Sequence, residues 1–241
     1  MMKASKLHIE KRFKTAAGTY HLDIWGKPQG SELQQDDSTY ENLIQYYKEE
    51  KSVSLSFLKQ VHGKAFVELL DDKLPINHIN PINIKADGFF TSEPNHSIGI
   101  KTADCIPILF YNTQKAVAGG VHSGWKGLKE KVLFHTLSEA ARKNQAKVED
   151  FRFIVGPFIG GDSYEVKSDV YTVFSPECFD NKDDISWNFK MKTELQNQLA
   201  QLQIDESHIT WFDANTFESP DFYSHRCGEP GRNINIIYLK K

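Results

Sequence analysis

Hydrophobic patterning is weak over residues 1–52 and strong from Val53 onward. In the opening part, residues 18–25 read as a short strand. Residues 27–38, charged and rich in turn formers, read as an exposed loop, and 39–50 as a short helix with Ser38 as its N-cap. Beyond Val53, β-branched and aromatic residues predict strands at 53–61 and 65–70, interrupted by a turn at His62-Gly63. Two further strands, 97–101 and 106–111, flank Thr102-Ala103-Asp104-Cys105, and an apolar, glycine-containing strand at 116–121 delivers His122. After Gly124-Trp125-Lys126-Gly127, the residues Leu128, Val132, Leu133, Leu137, Ala140 and Ala141 fall near helical spacing and predict one helix over 128–143. A strand at 151–155 runs into a glycine-rich turn at 156–161. Helices are expected at 168–174 and 189–202, and strands at 209–212 and 233–239. No repeat or linker divides the chain. Strands and helices mixed without strict alternation predict a single α/β (mixed α+β) domain over residues 1–241, with a central mixed sheet flanked by helices.

Composition narrows the function classes. Apolar residues make up 39%, with 16 Phe and 9 Tyr, which suffices for a sizeable core. The formal net charge is −3 and the basic residues are scattered, which argues against nucleic acid as a partner and leaves room for a local pocket for one small anion. No apolar run approaches membrane-spanning length, so no membrane partner is expected. The cysteines Cys105, Cys178 and Cys227 are too few and too dispersed for a disulfide framework. An odd count without a secretory leader fits a reducing, cytoplasmic location.

The chemistry concentrates in three places, Gln60-Val61-His62-Gly63, Thr102-Ala103-Asp104-Cys105 and Val121-His122-Ser123-Gly124-Trp125. Each sets a reactive side chain beside turn residues at the end of an apolar strand, where it is rigidly placed yet open to solvent. Cys105, His62 and His122 together offer one soft and two borderline donors, enough to attach Zn²⁺ or copper and leave a position for water or substrate. Without metal, Cys105 and His122 could form a thiolate–imidazole pair. Spacing alone carries this only so far. A cysteine in an apolar strand is more often a small buried residue, and a histidine beside glycine is usually a turn residue.

The ordered motifs add weight. Lys59-Gln60-Val61-His62-Gly63, Ala86-Asp87-Gly88-Phe89-Phe90-Thr91, Thr102-Ala103-Asp104-Cys105-Ile106-Pro107, Gly120-Val121-His122-Ser123-Gly124-Trp125-Lys126-Gly127 and Gly156-Pro157 with Tyr164-Glu165-Val166 follow one another. Phe222-Tyr223-Ser224-His225-Arg226 with Gly231-Arg232 closes the series. From Val53 to the C-terminus the chain resembles the laccase-domain, or polyphenol-oxidase-like, family, also described as purine nucleoside phosphorylases; residues 1–52 are its divergent part. The resemblance implies an α/β domain similar to toxin-type Cys–His deamidases and a zinc site on His62, Cys105 and His122. It implies phosphorolysis of adenosine, inosine, guanosine and methylthioadenosine, with adenosine deamination as a second activity. Copper-dependent phenol oxidation is the alternative attached to the family, and a Cys–His hydrolase is a further one. Phosphate and nucleoside are then the expected partners of a monomer. Lys126, at the mouth of a helix, and Arg226 and Arg232 are the candidate anion contacts. Trp125 and Phe158 could stack on a purine, and Asp104 could orient a histidine or close its turn. The chain departs from the family in carrying Lys126 where an arginine is usual, and Phe158 and Ser163 where cysteines are usual.

Overall fold

The fold is taken from a computed structural model and is described for residues 8–27, 37–70 and 84–240. Residues 28–36 of the expected loop, and the Ser38 side chain expected to cap the next helix, lie outside the described residues. The described residues begin with β1 (His8–Thr15), β2 (Gly18–Trp25) and α1 (Asp37–Tyr46), the last continued by a π-helical turn, Tyr47–Lys51. Then come β3 (Ser54–Phe57), β4 (Phe66–Glu68), β5 (Gly88–Thr91), β6 (His96–Thr102), β7 (Ile106–Asn112) and β8 (Ala118–Ser123). Helices α2 (Trp125–Lys129) and α3 (Val132–Lys143) lead to β9 (Phe151–Val155), β10 (Glu165–Val166) and α4 (Ser168–Tyr171). The remainder is β11 (Phe179–Asn181), β12 (Trp187–Phe189), α5 (Met191–Gln201), β13 (Ile209–Trp211) and β14 (Asn233–Lys240).

Strand alternation sorts these elements into layers. A five-stranded mixed sheet, ordered β1-β2-β14-β6-β3, packs on a six-stranded one, ordered β13-β9-β7-β8-β5-β4. In β14, Ile234, Ile236 and Tyr238 pack with Leu43 of α1 and Tyr47, while Ile237 and Leu239 enter the layer between the sheets. In β7, Leu109 and Tyr111 enter that same layer, and Ile106, Ile108 and Phe110 meet α3 and α5 on the far side. The result is helix, sheet, sheet, helix. Gly120 of β8 lets the two sheets approach: a Cβ there would lie 2.7 Å from Leu109 and 3.3 Å from Ile100 on the opposing sheet. Each fully buried aliphatic or aromatic side chain here contributes about 1.5–3 kcal/mol. The strand ends that carry His122 and Cys105 extend from strands buried along their whole length.

Several boundaries differ from the sequence pattern for identifiable reasons. The strand expected at 53–61 ends at Phe57. Beyond it, the Gln60 side-chain amide takes the place of a ladder partner, donating to the Lys101 carbonyl at 2.7 Å and accepting from the Lys101 N–H at 2.9 Å. The helix expected at 128–143 is broken into α2 and α3 by Lys131, which is left-handed with φ 53°. The helix at 189–202 starts as β12, which with β10 and β11 forms a separate three-stranded sheet. The helix at 168–174 is a single turn. β1 escaped the pattern because it is an edge strand with no buried residue and half of its residues exposed.

Candidate metal centre

Four chain segments bring the site together. Register does most of the work. β7 pairs with β8 so that Ile106 faces Ser123 and Pro107 faces His122, which leaves Cys105 one residue beyond the ladder, at the His122 end. β5 pairs with β8 on its other side, Gly88 opposite Val121, so Asp87 arrives beside His122 and its carbonyl accepts the His122 N–H at 2.7 Å. His62 comes from the turn after Gln60. Both His62 and Asp104 have positive φ, 60° and 82°. For non-glycine residues this conformation costs about 1–3 kcal/mol and clusters at functional sites.

Asp87 organises the group. Its carboxylate is fully buried and accepts N–H bonds from Val61 (3.1 Å), His62 (2.9 Å) and Gly63 (2.8 Å), and from Nδ1 of His122 (2.9 Å). One side chain thus fixes the turn carrying one histidine and the ring orientation of the other. Burial opposes its charge, but the His122 ring and the Gly63 and His62 amides outweigh it and hold the carboxyl below its ordinary range. Carboxylate-to-histidine contacts of this kind fix the tautomer and orientation of a metal-binding imidazole.

The donor atoms of His62, Cys105 and His122 all lie within 4.8 Å of one another, and the two imidazole rings are 4.7 Å apart at 78°. Zinc bond lengths of about 2.0–2.3 Å put ligand atoms about 3.6 Å apart in a tetrahedral site, so the trio fits one ion after a contraction of about 1 Å. His122 gives Nδ1 to Asp87 and keeps Nε2 for an ion. Among the described residues this is the one group of three or more His, Cys, Asp or Glu with metal-binding spacing. Cys178 is buried, its thiol pushed up to about 12 by burial and by Glu194, and Cys227 is exposed; neither joins the trio. Gly124 keeps the thiol accessible, since a Cβ there would sit 2.7 Å from Sγ of Cys105.

Electrostatics makes the thiol reactive. Burial raises the Cys105 pKa, but hydrogen bonds and charge from His122 and His62 prevail and bring it down to about 6. Burial likewise opposes the His122 charge, yet Asp87 and Cys105 raise that ring to about 9. Between these values the metal-free pair is thiolate and imidazolium. Chelator-stripped protein treated with iodoacetamide at pH 6.5 is therefore expected to alkylate Cys105 ahead of the more exposed Cys227, read by peptide mass spectrometry, with added zinc protecting Cys105. Faster labelling of Cys227 would contradict the thiolate assignment.

The trio opens into a cavity of about 510 Å³, within the range of small-molecule sites. Trp125, Arg226 and Arg232 line it, together with Lys59, Lys101, Tyr40 and Tyr164, to which the sequence assigned no individual role. Lys126 does not line it. That side chain is exposed, with Nζ 5.5 Å from the centre of the Trp125 ring, and α2 is too short to serve as an anion-binding helix. Phe158 packs against the core below the six-stranded sheet instead of lining the cavity. Asp104 lines the cavity but orients no histidine: its two oxygens accept from Thr216 Oγ1 and the Arg226 N–H, each at 2.7 Å. The histidine-orienting part belongs to Asp87. Its place in Ala86-Asp87-Gly88, just ahead of a strand, was the available signal.

Residues 32–240 match a family model described as multi-copper polyphenol oxidoreductase laccase, which reaches upstream of Val53, where the motif resemblance fades. A purine nucleoside phosphorylase of Haemophilus influenzae is 28% identical over 196 residues, 76% of this chain and 74% of its own. The purine nucleoside phosphorylase YlmD of Bacillus subtilis is 28% identical over 166 residues, 64% of this chain and 59% of its own. Among solved structures, the hypothetical protein YfiH of Bacillus licheniformis superposes with a TM-score of 0.78 at 22% identity, covering 92% of each chain. YlmD from Geobacillus stearothermophilus gives 0.78 at 20% identity, over 95% of this chain and 94% of its own. No helix among the described residues is long and apolar enough to cross a membrane.

Proposed function

The chain belongs to the multi-copper polyphenol oxidoreductase laccase family, and from that premise we propose that it is a zinc-dependent purine nucleoside phosphorylase. One observation carries the reading: the His62, Cys105 and His122 trio shares its cavity with four cations, Lys59, Lys101, Arg226 and Arg232, and with the aromatic rings of Tyr40, Trp125 and Tyr164. Cations suit an oxyanion, aromatic faces suit a purine, and phosphorolysis needs both in one place. Three nitrogen and sulfur ligands around an open position match catalytic zinc. Of the methionines that could add a weak axial copper ligand, Met191 is buried in the core at α5, and Met1 and Met2 lie outside the described residues.

In phosphorolysis a phosphate oxygen bonds to ribose C1′ as the C1′–N9 bond breaks. The base departs with the electron pair and takes up a proton, leaving ribose 1-phosphate. Arg226, Arg232 and the two lysines would bind the phosphate and offset its charge as it closes on C1′. Burial, reinforced by the charge of Cys105, raises the Tyr164 hydroxyl pKa well above its ordinary value, so Tyr164 keeps its proton and serves as a fixed donor. Bound zinc would supply Lewis acidity and a water of lowered pKa. Substrates would be adenosine, inosine, guanosine and methylthioadenosine. Adenosine deamination, with water displacing ammonia at C6, would be the side activity.

The test is chromatography of adenosine incubated with zinc-loaded protein, with and without inorganic phosphate. Adenine released only in the phosphate arm is the expected result; inosine alone would reduce the activity to deamination, and no product in either arm would sink the proposal. A second reading has one observation in its favour. His122 Nδ1 is hydrogen-bonded to Asp87 at 2.9 Å, and the His122 and Cys105 donor atoms lie within 4.8 Å of each other, the set of groups a Cys–His hydrolase uses. Chelation separates the two, since it should stop phosphorolysis and leave thiol chemistry intact. Phenol oxidation, the copper alternative, is expected to be absent from copper-free, zinc-loaded protein.

A further inference from the structure

Asp104 stands immediately before the ligand Cys105, 9% exposed, with φ at 82°. Three separate segments of the chain converge on it. Oδ1 accepts the Thr216 hydroxyl at 2.7 Å, Oδ2 accepts the Arg226 N–H at 2.7 Å, and its carbonyl accepts the Ile159 N–H at 3.0 Å. Arg226 is in turn held at its other end. Its guanidinium lies 5.2 Å from the centre of the Tyr164 ring, and Nη2 donates to the Glu165 carbonyl at 2.9 Å. An arginine on an exposed loop normally has to be ordered by its ligand. This one is fixed at the backbone by a residue covalently joined to Cys105, and at the head group by the segment that carries Tyr164.

We propose that Asp104 is a positioning residue that latches Arg226 into the cavity, so that an oxyanion is held at a set distance from the Cys105 trio. The idea rests on the phosphorylase reading only for the identity of the anion as phosphate. The latch works by geometry, and the Asp104 charge is dispensable. Asparagine can keep both bonds, its Oδ1 accepting from Arg226 and its Nδ2 donating to the Thr216 hydroxyl, which can accept as well as donate. Alanine keeps neither bond.

The experiment is titration of inorganic phosphate into zinc-loaded protein, followed by ³¹P line broadening, with elemental analysis of metal content. Asp104→Ala is expected to weaken phosphate binding about fivefold to tenfold, the cost of ordering the loop at Arg226 on binding. Asp104→Asn should stay within about twofold of the parent, because both latch bonds survive. Metal content should match the parent in both. In an Arg226→Ala background the Asp104→Ala change should have no further effect on phosphate, since the two act through one contact. Should the alanine variant fail to fold, Asp104→Ser, which can keep one of the two bonds at most, carries the same expectation. Equal phosphate affinity in the parent and the alanine or serine variant overturns the latch, as do additive effects in the double variant or loss of metal from the alanine variant. A parent protein that binds no phosphate also overturns it. Phosphate binding that depends on Asp104 without adenine release would sink the phosphorylase reading and leave the latch standing.

Discussion

Cys105→Ala is expected to leave the protein folded, nearly free of zinc and without nucleoside turnover. Cys105 supplies the soft donor of the trio and lies within 4.8 Å of both imidazole donors. Structural zinc sites with four ligands bind with about 10–16 kcal/mol, or about 3 kcal/mol per ligand, so losing one corresponds to roughly two to three decades in affinity. Cys105 is half-buried at the cavity wall and not in the hydrophobic layers. Its replacement should lower the stability of the metal-free protein only modestly, by about 1–2 kcal/mol at neutral pH, because the thiolate's pairing with the His122 imidazolium is lost with it. Elemental analysis and the adenosine assay together check the result. Full turnover in a zinc-free Cys105→Ala variant would remove the metal from the account.

The second large effect is expected from Asp87→Asn, although Asp87 need touch neither metal nor substrate. The amide can accept through only one oxygen, while four N–H groups converge on the native carboxylate. At least one donor is left facing the amide NH₂, which costs about 1–3 kcal/mol when buried. Metal affinity should fall about 10–100-fold, because His122 loses the partner that sets its tautomer. The pH dependence has two limbs. Asp87 has a depressed folded pKa, so its contribution is present above the unfolded carboxylate pKa and is lost as pH falls through the folded value. His122 has a raised folded pKa, so its contribution is full below the unfolded value and is lost as pH rises through about 9. In metal-free protein the stability gap between parent and Asp87→Asn should thus be widest near pH 5–6 and narrow toward both extremes, as read by urea unfolding. A gap independent of pH would deny the Asp87–His122 interaction its role.

What the sequence made legible follows from where each residue sits. His62, Cys105 and His122 are reactive groups beside turn residues at the ends of apolar runs, and that pattern survives without knowledge of strand order. Asp87 sits in a like place, beside Gly88 ahead of an apolar strand, but its histidine partner is hidden. It flanks an ordinary strand, and only the register of β5 on β8 brings it to His122. Gln60 hides for a similar reason, since its bond to the Lys101 backbone depends on a contact across 41 residues of chain. Lys126 stood out because a cation before a helical pattern suggests an anion site; it lies outside the cavity, on a helix of five residues that ends before Lys131. The mixed α/β class was readable from composition and element order. The partition into two packed sheets was not, because β7, β8 and β14 are buried on both faces and show no alternation between inside and outside.

The claim on which the rest depends is that one ion is held by a single thiolate and two imidazoles. Zinc K-edge X-ray absorption of protein loaded with one equivalent of zinc measures this directly. The predicted first shell is one sulfur at about 2.3 Å and two nitrogens at about 2.0–2.1 Å, completed by a light atom from solvent. A shell without sulfur, or with more than one, would contradict the assignment of Cys105, His62 and His122 as the metal centre.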